Sequence, residues 1–140
     1  MNIKSNLTPF STAKLSEVTI ANVAHESSGL ILSAKKAPRY NGEEEIRGSV
    51  AKIKCEFINA DLAKILEKSG ADVHQLKTNT LEIVGNENDL INITEDELIN
   101  TILPLNKAKV MLKWVSNRSS SGWKGLKLVV DLNDLHEGEK

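Results

Sequence analysis

The chain has 140 residues, 40% hydrophobic, 26% charged and 4% aromatic, and its 18 Lys and Arg against 19 Asp and Glu give a formal net charge of −1. That length is about one domain, and so much Ile, Leu and Val among mixed charges excludes wholesale disorder, a collagen-like repeat and any need for a covalent staple. The balanced total also argues, on its face, against a strongly basic nucleic-acid binder.

Cys55 is the single cysteine, so no intrachain disulfide forms and a reducing compartment is expected. Residues 1–12 lack the apolar core of a signal peptide, and no stretch approaches the roughly 20 apolar residues of a membrane span. A cytoplasmic protein without membrane contact is expected.

In chain order, residues 1–14 read as a flexible arm. Its Leu7 and Phe10 are the candidates for docking on a neighbouring subunit, which would make a homo-oligomer. Residues 15–25, rich in Val, Ile and Thr, predict a strand. After the turn signal of Ser27, Ser28 and Gly29, residues 30–36 predict a second strand. Residues 37–48 form a loop or loose hairpin punctuated by Pro38, Asn41, Gly42 and Gly48.

Residues 49–58 alternate cleanly. Ala51, Ile53, Cys55 and Phe57 suit a core, while Lys52, Lys54 and Glu56 suit water. The period then changes: Leu62, Ile65 and Leu66 predict a short amphipathic helix over 60–69, with Asn59 or Asp61 as its cap and Gly70 past its end. Residues 79–84 suggest a short strand. Thr94 and Glu97 form a capping box, after which Leu98, Ile99, Ile102 and Leu103 make one helical face that Pro104 ends. Residues 107–115 alternate again, with Ala108, Val110, Leu112 and Trp114 opposite Lys107, Lys109 and Lys113. A loop over 117–122 leads to a last strand, 123–132. There Leu126, Leu128, Val130 and Leu132 read as inward and Trp123 and Lys127 as outward, before a polar tail from 133 to 140.

This order predicts an α+β fold, mainly β. It is a five-stranded, OB-fold-like antiparallel barrel over residues 15–132, with a helix after the third strand and a small helical insertion at about 86–104.

The net charge conceals a segregation. Residues 61–103 carry three lysines against nine acids, −6; residues 104–130 carry six basic residues and no acid, +6; residues 35–54 carry +3. Local field, not total charge, attracts a polyanion. On an OB-like barrel the basic groups gather on one face, giving as candidate nucleic-acid contacts Lys35, Lys36, Arg39, Lys52, Lys54, Lys113, Arg118, Lys124 and Lys127. Tyr40 and Trp123, each beside a basic residue, are the candidate platforms for base stacking. The competing structural roles are a loop anchor under Pro38 for Tyr40, a lid on the barrel end for Trp123, and a solvated face or edge guard for the lysine row. Glu43, Glu44 and Glu45 would repel DNA nearby.

The basic strands AKIKCEF and KAKVMLKW, and the Arg118 loop ending at Trp123, resemble small OB-fold single-stranded-DNA-binding proteins of conjugative plasmids and phages of Gram-positive bacteria, of the PrgE type. The resemblance covers the order of elements across 15–132 and the short arm before them. It implies sequence-independent binding of single strands, DNA first and RNA as a second candidate, in plasmid or phage DNA processing or conjugation. Subunits would be joined along the strand through the arm.

No catalytic constellation is present in the sequence. His25, His74 and His136 are scattered, Ser119, Ser120 and Ser121 lack a neighbouring base, and no zinc or phosphate-loop spacing occurs. A non-enzyme without cofactor or metal is expected. The alternative function is a protein-interaction or structural accessory subunit, using the acidic helix at 95–103 and the arm as contact surfaces.

Overall fold

The computed structural model describes residues 19–20, 24–70, 77–116 and 121–135, with the backbone alone at 114–116, 121, 123 and 124. Within them lie eight strands, three helices and a closing 3-10 turn at Leu132–Leu135. The elements are β1 (Ser28–Ala37), β2 (Tyr40–Asn41), β3 (Glu44–Glu45), β4 (Lys52–Asn59), α1 (Ala60–Lys68), β5 (Asn79–Val84), α2 (Glu87–Asn92), α3 (Glu95–Leu98), β6 (Ile102–Pro104), β7 (Lys109–Ser116) and β8 (Ser121–Asp131). The protein is therefore a strand-dominated mixed fold. Among the described residues no helix is long and apolar enough to cross a membrane.

Six strands form one sheet in the order β6-β1-β4-β5-β8-β7, and β2 and β3 form a separate small hairpin. Every neighbouring pair in the sheet is antiparallel except β5 with β8. Among the described residues the six-strand ladder does not close on itself. Upstream of β1 the chain also reaches the opposite edge: Thr19 bridges Met111 on β7, and the Ile20 N–H donates to the Val110 carbonyl at 2.7 Å.

The alternation of β4 holds in three dimensions. Ile53, Cys55 and Phe57 are buried with Ile31, Leu81, Ile83, Leu128 and Val130, while Lys54 and Glu56 are exposed on the other face. Residues 79–84 form the short strand expected and lie in the middle of the sheet, paired to β4 on one side and β8 on the other. That explains why Leu81 and Ile83 are fully buried.

Asn59, rather than Asp61, caps α1, its side chain accepting from the Asp61 and Leu62 N–H groups at 2.9 and 3.0 Å. Gly70 follows in the left-handed region, at φ 81°. The buried side of α1 consists of the small residues Ala60 and Ala63, whereas Leu62 and Ile65 are 45% and 64% exposed.

The region read as one helix over 95–103 divides instead. α3 stops at Leu98, Asn100 turns the chain at φ 70°, and β6 pairs with the start of β1. Backbone bonds from Asn100 N–H to the Ile31 carbonyl (2.7 Å) and from Ile31 N–H to the Thr101 carbonyl (2.9 Å) fasten this edge. Pro104 therefore ends an edge strand, a position that needs no ladder N–H.

Gly29 is buried where β1 crosses the ring of Phe57. An added Cβ would lie 2.7 Å from Phe57 Cδ2 and 3.0 Å from Leu105 Cδ1. Phe57 and Leu105 are themselves fully buried. Gly29→Ala is expected to destabilise the fold by about 1–3 kcal/mol through overpacking, measured as a lowered urea midpoint with unchanged slope. An unchanged midpoint would show that the core yields at this point.

Candidate nucleic-acid interface

The face of the sheet opposite the core is concave and basic. β1, β4, β5, β7 and β8 line a groove of about 590 Å³ with Lys35, Lys52, Lys54, Lys113 and Lys127, the hydroxyls of Ser33 and Thr80, and the carboxylates of Glu56 and Glu82. Strand alternation puts them there. Lys35 on β1 stands opposite Lys54 on β4, and Lys54 stands opposite Glu82 on β5.

At the floor, Glu82 is 7% exposed and brings together two strands' lysines. Lys127 Nζ donates to its Oε1 at 2.9 Å, and Lys52 Nζ lies 3.2 Å from the same oxygen. Burial alone would push the Glu82 carboxyl up, but hydrogen bonding to Lys127 and the charges of Lys52 and Lys127 hold it below the ordinary carboxylate value. Lys113 Nζ donates to Thr80 Oγ1 at 2.7 Å, so its ammonium too is set in place.

Lys35 and Lys54 differ. They are exposed, and among the described residues neither has a carboxylate or hydrogen-bond partner. Like charges directly opposite on paired strands destabilise a sheet. The acid across from Lys54 on its other side, Glu82, is already engaged by Lys52 and Lys127.

A second hollow of about 540 Å³ continues from the first, sharing Lys52 and Lys54 and adding Pro38, Arg39, Tyr40 and Ile46. Tyr40 is 60% exposed, so it is available as a flat platform and is not a buried loop anchor. Arg39 lines this hollow, but its guanidinium is engaged by Glu87 through two bonds of 3.0 Å. Glu43 is exposed at the hairpin turn, and Glu44 and Glu45 are exposed on β3, where Glu45 stands opposite Tyr40.

The structure thus brings Lys35, Arg39, Tyr40, Lys52, Lys54, Lys113 and Lys127 onto one connected surface. Lys36 is not among them. It stands opposite the core residue Ile53, and its Nζ donates to the Ile91 carbonyl at 2.8 Å. Arg118, Leu7 and Phe10 lie outside the described residues, and of Trp123 and Lys124 only the strand position is described. At that position Trp123 pairs with Trp114 while Leu126 pairs with Leu112, so β8 carries one extra residue there, with Gly125 at φ 81°. The alternation from Leu128 and Val130 therefore does not continue through Gly125 to Trp123.

Sequence reading missed Glu82, Thr80 and Glu87. The first two were accessible from the alternation Thr80, Glu82, Val84 against Leu81 and Ile83, once β5 is taken as a central strand. Cys55, beneath the groove, is buried, and burial pushes its thiol up to about 12, so it is inert at neutral pH.

Because Glu82 binds its proton less readily folded than unfolded, its stabilising contribution is complete above the ordinary carboxylate value near 4.5. It is lost as pH falls through the lower folded value. Glu82→Gln is expected to lose about 1–3 kcal/mol at pH 7 and to lose less further stability below pH 4.5 than the native protein. Urea titrations at pH 7 and pH 4 check this, and parallel acid limbs would contradict it.

No family model, curated protein or solved structure matches this chain.

Proposed function

We propose that the protein binds single-stranded DNA without sequence preference, the strand lying across the lysine groove and onto Tyr40. The observation that carries this reading is the facing pair Lys35 and Lys54, exposed cations held opposite one another, neither of them in an ion pair among the described residues. A bound phosphate relieves that repulsion, and each phosphate neutralised releases counterions. Tyr40 supplies the flat surface that an unpaired base requires.

The pairing order supports an OB-like barrel. β1, β4 and β5 form a meander, β5 runs parallel to β8, β8 pairs with β7, and Thr19 returns to β7. On that reading β4 and β5 are the second and third barrel strands, whose face binds nucleic acid in OB-folds together with the loops joining strands one to two and four to five. β6 is then an addition at the edge.

Competition between a labelled single strand and unlabelled duplex of equal length tests the reading. The single strand is expected to be preferred, because a duplex offers no free base to Tyr40. Equal affinity would contradict a stacking site.

A protein-interaction role is the second reading, favoured by Leu62 and Ile65, which α1 leaves exposed.

A further inference from the structure

Glu87 lies outside the lysine groove, yet it fastens the segment that carries Tyr40. Its two carboxylate oxygens take both bonds of the Arg39 fork at 3.0 Å, and Oε2 also accepts the Val50 N–H at 2.9 Å. Arg39 and Val50 stand at the two ends of the hairpin segment formed by β2 and β3. The Val50 bond and then the Arg39 fork hold the Glu87 carboxyl below its ordinary range. Within the segment, Arg39 N–H donates to Ser49 Oγ, and Ile46 N–H donates to the Arg39 carbonyl. β2 and β3 are themselves exposed, so these bonds at the base set where the hairpin stands.

The short helix that carries Glu87 is anchored to the core and to β1. Leu90 of α2 is fully buried, Asn86 caps the helix, and Lys36 ties the Ile91 carbonyl to the end of β1. Lys36, which the groove does not use, thus acts on the same helix.

We propose that Glu87 is a positioning residue for nucleic-acid binding. Through Arg39 and Val50 it holds the 39–50 segment so that Tyr40 faces the end of the lysine groove. The inference rests on the single-strand reading above. It makes a prediction opposite in sign to simple electrostatics: an acid beside a polyanion site repels the ligand, so removing a bystander acid tightens binding, whereas removing the fastener weakens it.

Anisotropy titrations with labelled oligo-dT compare the native protein with Glu87→Gln, Glu87→Ala, Tyr40→Ala and the Glu87→Ala/Tyr40→Ala double variant, each checked for a native melting transition. Glu87→Gln keeps a single oxygen, which can still take the Val50 N–H and the Arg39 Nε–H as Oε2 does, and loses the Nη2 bond, so affinity is expected to fall from native to Glu87→Gln to Glu87→Ala. The last should lose on the order of tenfold, the scale of one base stack. In the Tyr40→Ala background the same substitution should change little. Equal tightening by Gln and Ala, or full additivity with Tyr40→Ala, would overturn the proposal. Amide exchange of Val50 and Ile46, measured without DNA, should accelerate in Glu87→Ala, and unchanged exchange would overturn the fastening itself. If the native protein ignores oligo-dT while exchange still accelerates, the single-strand reading fails and the positioning of the hairpin stands.

Discussion

Lys35→Glu is expected to weaken single-strand binding by about 100-fold at low salt while leaving the protein slightly more stable. In the native sheet Lys35 and Lys54 are opposed across β1 and β4. β6 covers only the start of β1, so among the described residues no other strand pairs at Lys35. Reversing the charge at 35 turns a repulsive cross-strand pair into an attractive one, stabilising the sheet by about 0.2–1 kcal/mol. It also removes two cations from the ligand's path, one replaced and one newly neutralised. Without these two ammonium–phosphate bonds, binding weakens by about 3 kcal/mol, on the order of 100-fold in affinity. The slope of log K against log salt should become shallower by about 1.4. Equilibrium titration and urea unfolding of the same variant check both halves. Binding within a factor of two of native would remove this pair from the site, and a loss of stability would show that the pair is not strained.

Phe57→Ala is expected to destabilise the protein by about 3–5 kcal/mol, a large share of the roughly 5–15 kcal/mol available to a domain. Phe57 is fully buried on β4, and Gly29 leaves the space its ring fills between β1 and Leu105. Because the closest wall of that slot is the backbone of a sheet strand, it collapses little when the ring is removed. The cavity term then adds to the lost burial. Urea unfolding measures the effect, and a change under 1 kcal/mol would mean that the β1–β4 interface repacks freely.

Local chemistry made part of this structure legible in sequence. Period-two alternation located β4, β7 and β8 to within a few residues. A polar cap with a terminal glycine located α1, because Asn59 and Gly70 act on their own neighbours. What depended on pairing between distant segments was not legible. The centrality of β5 comes from its parallel partner β8, more than forty residues later. A helix does start after Thr94, although Thr94 makes no side-chain cap bond, and the residues beyond Leu98 gain more by pairing with β1 than by continuing the helix. Leu62 and Ile65 have helical spacing, but the side of α1 that is buried is that of Ala60 and Ala63.

The candidate site followed the same division. Lys52 and Lys54 were placed by the alternation of their own strand. Setting Lys35 against Lys54, and Lys52 and Lys127 against Glu82, required the register of three different strand pairs. Glu82 counted in sequence as part of an acidic region, and it sits at the floor of the basic groove. The extra residue of β8 near Gly125 breaks the parity on which the outward reading of Trp123 depended.

The central claim is that the lysine groove is a single-strand site. A fluorescence-anisotropy titration of the native protein with labelled oligo-dT, at about 50 and 200 mM salt, addresses it most directly. Saturable binding at low salt that weakens steeply at high salt is the result the groove predicts. No binding at low salt would contradict it.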